Sequence, residues 1–327
     1  MTRHAPARSR PLCLLVGVAF ASSLLPSSAR ASENVTVALL SETATVEPGR
    51  PFYVGVRMSM RTGWHTYWRN PGDAGLPPKI VWNLPEGFSA GPIEWPAPER
   101  FLDDGSMSYG YQGEVLLPIE IVPPARLAGD SATLAGTFEW LECADVCVPG
   151  SSELRLSLPV RPETPSPGKA APSFAEARAR MPAPSEGWAF RAEAGARAIS
   201  LEFRAPRGAA PRGAYLFVDE PLVVDYAAPQ GFEKTGDGYR LTAIPAANAQ
   251  GTPERLTGVL VLEGRSGSTP RAAVRVDVPV ARGDPAPAPD SPADSRPPVS
   301  WHIVLIAVAG FGLAALLARF ALRRNRS

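Results

Sequence analysis

Apolar and polar residues alternate with a period of two in many short segments of the chain. Alternation of this kind predicts β-strands with one buried and one exposed face. The candidate strands are residues 35–40, 52–58, 113–122, 132–140, 154–158, 188–192, 198–203, 213–218, 256–262 and 272–280. The 37 prolines and 29 glycines punctuate these segments, which is typical of antiparallel strands joined by turns. The sequence therefore predicts an all-β protein with two immunoglobulin-like β-sandwich domains, at residues 32–160 and 186–282.

Two segments interrupt the strand pattern. Residues 161–185 are rich in Pro, Ala and Ser, and they form a predicted linker with one short helix at 173–181. Ser173 is the expected N-cap of that helix, and Glu176 occupies the capping-box position three residues later. Residues 283–298 lack large apolar side chains and are expected to form an extended, flexible stalk before the last segment of the chain.

The first 31 residues have the order of a secretory signal peptide. Basic residues at Arg3, Arg8 and Arg10 precede an apolar run at 12–25. The triplet 29–31 then has the small-x-small form of a signal cleavage site. We therefore expect an exported protein that is cleaved after residue 31.

The last apolar run predicts a transmembrane helix at residues 299–322. Its first 20 residues, 299–318, contain no Asp, Glu, Lys or Arg, and about 20 residues span a bilayer. Arg319 and Arg323 begin a basic end, so the tail at 323–327 is expected in the cytoplasm. These features predict a single-pass protein of the bacterial inner membrane with its ectodomain in the periplasm. The alternative is a buried helix of a soluble domain.

Only two cysteines remain once the predicted signal, which contains Cys13, is removed. Cys143 and Cys147 are separated by three residues, and strands on either side would place them opposite each other across a turn. Directly paired strand residues have Cα atoms about 4.5–5.5 Å apart, which suits a disulfide. A ring this small removes little entropy from the unfolded chain, and this favours redox exchange. A structural disulfide, an exchanging pair and a metal site all remain open at this point.

Acidic residues surround the cysteine pair in the sequence. Glu139, Glu142 and Asp145 lie close by, and no Lys or Arg is adjacent. Negative charge disfavours a thiolate, so the pair is expected to exchange slowly with small thiols. Such a pair would depend on a dedicated protein partner to attack it.

Three motifs carry a resemblance to a known family. They are Gly-Trp-His-Thr-Tyr-Trp-Arg-Asn-Pro-Gly-Asp-Ala-Gly-Leu-Pro-Pro at 63–78, Trp-Pro-Ala-Pro-Glu-Arg-Phe at 95–101, and Trp-Leu-Glu-Cys-Ala-Asp-Val-Cys-Val-Pro at 140–149. Together they resemble the N-terminal periplasmic domain of the DsbD family of thiol:disulfide interchange proteins. They are most similar to the suppressor-of-copper-sensitivity branch, ScsB, whose pair is also spaced Cys-x-x-x-Cys. The resemblance covers residues 32–160 well and the second domain more weakly.

The resemblance implies an immunoglobulin-like domain in which Cys143 and Cys147 are the catalytic pair and pass electrons to protein partners. It also implies a cap loop over that pair. By position the cap is the segment 101–110, with Phe101, Met107 or Tyr109 as the covering side chain. We expect incoming thiolates to attack Cys143.

This chain departs from the family because it shows neither the multi-helix membrane domain nor the thioredoxin-like domain. Electrons are therefore expected from a separate membrane thiol reductase or a thioredoxin-like periplasmic protein. No cofactor is expected. The formal net charge of +1 comes without a basic stripe, so no nucleic acid partner is expected either.

The expected function is that of a membrane-anchored periplasmic thiol–disulfide exchange protein, an oxidoreductase relay of the protein-disulfide reductase type. Two alternatives come from other classes. The first is a Cu(I)-binding copper-tolerance protein that uses Cys143, Cys147 and His65, because Cu(I) favours thiolate and imidazole ligands. The second is a non-catalytic adaptor with a structural disulfide, in which aromatic neighbours give His65 a packing role.

The predicted topology is testable by protease accessibility. Protease added to spheroplasts should digest residues 32–298 and leave only a fragment containing the anchor and tail, because the membrane shields that end alone. Immunoblotting with an epitope at the C-terminus would measure the fragment. A cytoplasmic protein serves as the control for intact membranes, and a protected ectodomain would contradict the topology.

Overall fold

The computed structural model describes residues 32–103, 105–206, 210–263 and 272–283, and strands account for most of this part of the chain. No helix among these residues is long and apolar enough to cross a membrane. The predicted signal peptide, anchor and tail lie outside the described residues, as does the predicted stalk beyond residue 283. The prediction of a nearly all-β protein is confirmed within these limits.

Ten strands build the first domain. They are β1 (Val35–Ser41), β2 (Phe52–Met60), β3 (His65–Gly72), β4 (Lys79–Asn83), β5 (Ser89–Ile93), β6 (Glu99–Asp103), β7 (Ser106–Gln112), β8 (Glu114–Val122), β9 (Ser131–Cys143) and β10 (Cys147–Pro159). One sheet has the order β1-β2-β8-β5, and the other has the order β10-β9-β3-β7-β6 with β4 also paired to β9. This arrangement is consistent with the predicted immunoglobulin-like sandwich.

The core of the first domain lies between these two sheets. Alternate residues of β2 and β8, such as Val54 and Leu117, are fully buried, as are Leu134 and Phe138 of β9. Strand β9 is the longest alternating segment in the sequence, and its even-numbered positions from Ala132 onward face inward. Because a slip of one residue would expose this whole set, the hydrophobic pattern fixes the register of β9.

A single helix among the described residues, α1 (Ala171–Ala179), follows the first domain and packs on it. Phe174 and Ala177 are buried against Leu116 of β8. The helix begins two residues earlier than predicted, with Ala170 as its N-cap and no side-chain cap. The predicted cap at Ser173 is therefore wrong. A proline in the first turn starts the helix instead, because its fixed φ suits a helix and its missing N–H would have no partner there.

Seven strands build the second domain. They are β11 (Ala189–Ala194), β12 (Ile199–Arg204), β13 (Gly213–Val218), β14 (Gly231–Thr235), β15 (Gly238–Ala243), β16 (Arg255–Glu263) and β17 (Ala273–Arg282). Their order is β13-β16-β17-β11-β12-β15-β14. Strand β17 pairs antiparallel with β16 and then parallel with β11, so it joins the two halves of the sheet. Leu201 of one half and Val276 of the other belong to the same buried cluster.

The two domains share a buried interface formed by β3 and β7 of the first and β13 of the second. Asn70 is almost fully buried there and donates hydrogen bonds from Nδ2 to the carbonyl oxygen of Val218, at 2.8 Å, and to the Tyr226 hydroxyl, at 3.1 Å. The rings of Trp68 and Phe217 meet edge to face with centroids 6.2 Å apart. Buried residues of both domains form one continuous apolar cluster, so the two domains pack against each other.

Replacing Asn70 tests this interface. Asn70→Ala should lower the free energy of unfolding by about 2 kcal/mol, because it leaves buried polar groups without partners. Urea unfolding of the purified protein, followed by tryptophan fluorescence, measures the change. Thr133→Ala is the matched control, because its 2.8 Å hydrogen bond to Ser157 is exposed and should contribute little. Equal effects from the two substitutions would contradict a structural role for the Asn70 contacts.

Candidate functional site

The two cysteines close the hairpin formed by β9 and β10. Cys143 is the last residue of β9 and Cys147 the first of β10, and the two are directly paired in the antiparallel register. They form a disulfide with Cα atoms 4.1 Å apart. The predicted three-residue turn between opposed cysteines is therefore confirmed. The disulfide sits at the end of the longest hairpin of the domain, where pairing on both sides holds it in place.

The two cysteines differ sharply in their exposure to solvent. Cys143 is only 2% exposed, whereas Cys147 is exposed and has the exposed apolar residues Val146 and Val148 on either side. A thiolate in solution can reach an exposed sulfur far more easily than a buried one. The burial therefore argues for attack at Cys147 rather than at Cys143 as we expected, and which of the two sulfurs is attacked stays a prediction.

Tyr67 of β3 contacts both sulfurs. Its hydroxyl donates a hydrogen bond to Cys143 Sγ at 2.7 Å and lies 3.4 Å from Cys147 Sγ. Burial raises the pKa of Tyr67, so the phenol keeps its proton at neutral pH and remains a donor. The loop after β3 packs on this ring at Gly75, where a Cβ would lie 2.2 Å from it. Gly75 also has a φ of +111°, so a side chain there would be strained as well as crowded.

The sequence analysis did not single out Tyr67, although the signal was present. Tyr67 lies two residues after His65, and residues two apart on a strand share a face. His65 is directly paired with Cys143 in the register of β3 and β9. Once that pairing is known, the alternation places Tyr67 on the same face as the disulfide.

His65 is buried beside the disulfide. It is 6% exposed, and Nε2 has no hydrogen-bond partner among the described residues. Burial lowers the pKa of His65, and the opposing effect of Asp103 is smaller. The imidazole is therefore neutral at neutral pH, in contact with the Tyr67 ring at a centroid distance of 5.4 Å.

Phe101 covers His65. Its ring stacks on the imidazole with centroids 4.5 Å apart and planes within 9° of parallel. A cavity of about 540 Å³ separates the strand that carries Phe101 and Asp103 from the cysteine turn at Ala144 and Asp145. Phe101 therefore covers His65, the residue paired with Cys143, from the hairpin of β6 and β7, and its role as a cap over the disulfide stays a prediction.

The other two cap candidates lie elsewhere. Phe101 is paired with Ser108 in the register of β6 and β7, so the neighbours Met107 and Tyr109 point to the opposite face. Both are buried, and Tyr109 packs on rings of the second domain. The geometry therefore restricts the proposed cap to Phe101.

The acidic neighbours of the cysteines do not all reach the site. The Glu142 side chain lies in the core, where it accepts hydrogen bonds from Trp140 Nε1 at 2.9 Å, from Asn34 Nδ2 at 3.0 Å and from the Ser32 hydroxyl. Glu139 forms an ion pair with Lys79 on the neighbouring strand. Of these three residues only Asp145 lines the cavity beside the cysteine turn, and a fourth carboxylate, that of Asp103 on β6, lines it as well.

Among residues 32–103, 105–206, 210–263 and 272–283, no group of three or more His, Cys, Asp or Glu side chains is arranged to hold a metal ion. The Cu(I) set of Cys143, Cys147 and His65 stays a prediction, and so does the catalytic role of the cysteine pair.

Comparisons with known proteins address the first domain directly. A sequence profile of the family described as thiol:disulfide interchange protein DsbD, N-terminal, matches residues 36–159, from β1 to the end of β10. Residues 36–159 are therefore similar in sequence to the N-terminal domain of the DsbD family. A search of curated proteins found no match.

Two solved structures give the wider context. The N-terminal periplasmic domain of ScsB from Proteus mirabilis matches with a TM-score of 0.59 and 21% identity, covering 77% of this chain and 95% of that one. This match is longer than the family profile, so the likeness in fold extends into the second domain. The reduced N-terminal domain of DsbD from Neisseria meningitidis matches at 19% identity over 38% of this chain and 90% of that one, but its TM-score of 0.22 is too low to compare folds.

The hydrogen bond from Tyr67 is testable by reduction kinetics. Tyr67→Phe should slow reduction of the disulfide by dithiothreitol about fivefold, because the Cys143 sulfur leaves as a thiolate and loses the donor that stabilises it. Acid quenching followed by maleimide labelling measures the rate. Tyr53→Phe is the matched control, because its hydroxyl donates to Glu94 in another sheet. An unchanged rate in Tyr67→Phe would show that the contact is only structural.

Proposed function

We propose that this protein is a membrane-anchored periplasmic thiol–disulfide relay, which carries electrons through Cys143 and Cys147 to or from a protein partner. The observation that supports it most is the asymmetry of the disulfide within a DsbD-type domain. One cysteine is exposed at the tip of a hairpin, and the other is buried and accepts a hydrogen bond at its sulfur from a phenol. A purely structural disulfide has no need of one accessible sulfur and one stabilised leaving group.

The chemistry follows from this asymmetry. A thiolate of a reduced partner attacks Cys147 Sγ, the bond between the two cysteines breaks, and Cys143 leaves as a thiolate that Tyr67 stabilises. A second thiol of the partner then attacks the partner's first sulfur in the mixed disulfide. This step closes the partner's disulfide and releases Cys147 as a thiol. The partner ends with a disulfide, and this protein holds two thiols and has gained two electrons. In the reverse direction Cys147 attacks a partner disulfide, and Cys143 resolves the intermediate.

The source of electrons is a second protein in this proposal. The resemblance to the DsbD family points to a membrane thiol reductase or a thioredoxin-like periplasmic protein. The predicted helix at 299–322 would keep the ectodomain at the inner membrane and raise its effective concentration near a membrane-bound donor.

Cysteine variants test the relay and the order of attack together. Cys143→Ala should accumulate a disulfide-linked partner, because Cys147 can still form a mixed disulfide but nothing resolves it. Cys147→Ala should accumulate at least tenfold less, because the remaining sulfur is buried. Purification under non-reducing conditions and mass spectrometry of the linked species measure both amounts and identify the partner.

The double variant that lacks both cysteines is the control for non-specific capture. A complex that forms equally with Cys147→Ala would contradict attack at Cys147. If neither single variant captures a partner, and the wild-type pair is fully oxidised both in cells that contain the membrane reductases and in cells that lack them, the relay is refuted and the structural disulfide remains.

A further inference from the structure

The cap residue belongs to a hairpin that also contacts the second domain. Strands β6 and β7 form this cap hairpin, and β6 is at the edge of its sheet, paired only with β7 among the described residues. Neighbouring residues on a strand point to opposite faces. Phe101 of β6 stacks on His65, which is paired with Cys143, while its neighbour Arg100 contacts Tyr215 of the second domain.

Arg100 attaches β6 to the second domain through Tyr215 of β13. The Arg100 guanidinium carbon lies 4.1 Å from the centroid of the Tyr215 ring, which is the geometry of a cation–π contact. The same guanidinium approaches the carboxylate of Glu263 at 3.6 Å, but Glu263 is 55% exposed and Arg100 is 42% exposed. Exposed ion pairs contribute little, so the ring contact is the stronger of the two attachments.

The other strand of the hairpin contacts the same ring. Tyr109 of β7 is directly paired with Arg100, so the two side chains share a face. The hydroxyls of Tyr109 and Tyr215 are 2.7 Å apart and buried. Tyr215 is itself buried on a strand that pairs along its length with β16. A single buried residue of the second domain, Tyr215, therefore contacts both strands of the cap hairpin.

The two attachments differ in how firmly they hold. Strand β7 is paired on both sides, and its Tyr109 is fully buried. Strand β6 is an exposed edge, and a cavity of about 140 Å³ lies between it and the second domain beside Arg100 and Tyr215. If the hairpin opens, β6 can move into this cavity and breaks fewer hydrogen bonds than β7 would. Arg100 is the residue that attaches β6 to the second domain.

We infer that Arg100 is a positioning residue, through which the second domain holds Phe101 over the site and sets how often the disulfide is uncovered. The inference rests on the proposed exchange function, because it concerns access to the disulfide. It gives the second domain a role that neither its cysteine-free sequence nor its fold assigns. Arg100 itself does not touch the sulfurs.

Reduction kinetics test the inference without any partner. Arg100→Ala should make reduction of the disulfide by dithiothreitol about fivefold faster, since a cation–π contact of this kind no longer holds β6 in place. Arg100→Lys should recover most of the wild-type rate, because the ammonium retains the charge over the ring. Circular dichroism and a thermal unfolding curve confirm that each variant is folded at the assay temperature.

Arg69→Ala is the matched control. Arg69 also joins the domains, through an ion pair of 2.5 Å with Asp219, but it lies on β3 and not on the cap hairpin. Loss of this ion pair should weaken the interface between the two domains without changing the rate at which dithiothreitol reduces the disulfide. A wild-type rate in Arg100→Ala overturns the inference, and so does equal acceleration in Arg69→Ala, because the effect would then come from general loosening. The proposed relay function is tested separately by capture of a partner, so its failure can be distinguished from a failure of the inference about Arg100, which is tested by the reduction rate.

Discussion

The antiparallel register of β9 is the constraint on which the site depends. It pairs Cys143 with Cys147 on one side and with His65 on the other, so a single strand sets the positions of all three side chains. The same register brings Tyr67 onto the face of the disulfide. The buried side chains of β9, among them Leu134 and Phe138, pin the register from the core, because a slip of one residue would turn them outward. The disulfide and its neighbouring side chains are thus positioned by apolar packing elsewhere on β9.

Much of this fold is predictable from the alternation of apolar and polar residues. The segments of β2 and β9 alternate over many residues, β16 is a continuous apolar run, and the structure confirms strands at all three. Prediction failed where the sequence is irregular. Strand β3 is buried at most positions and its register shifts after Tyr67, so its sequence has no clear period. Strand β7 contains Gly and Ser and β6 has only five residues, so the segment at 101–110 was expected to be a loop.

The site was predictable in part, for a related reason. The cysteine pair and its turn are local features, so their spacing alone indicated the geometry. The roles of Tyr67 and Glu142 depend on which face of a strand each occupies, and that is decided by contacts with distant strands. The contact between Tyr109 and Tyr215 joins residues that are 106 positions apart in the sequence, and no local sequence pattern predicts it. Pairing between distant segments is therefore what the sequence left undetermined.

The uneven burial of the two sulfurs has a kinetic consequence. Only Cys147 is accessible, so a donor and an acceptor cannot both be bonded to the pair at once. The proposed relay would therefore take electrons from one protein, release it, and then react with the next protein at the same sulfur. Its steady-state rate would follow ping-pong kinetics, with donor and acceptor competing for one docking position. An excess of either protein would then inhibit turnover, and the balance between the two would set the flow of electrons.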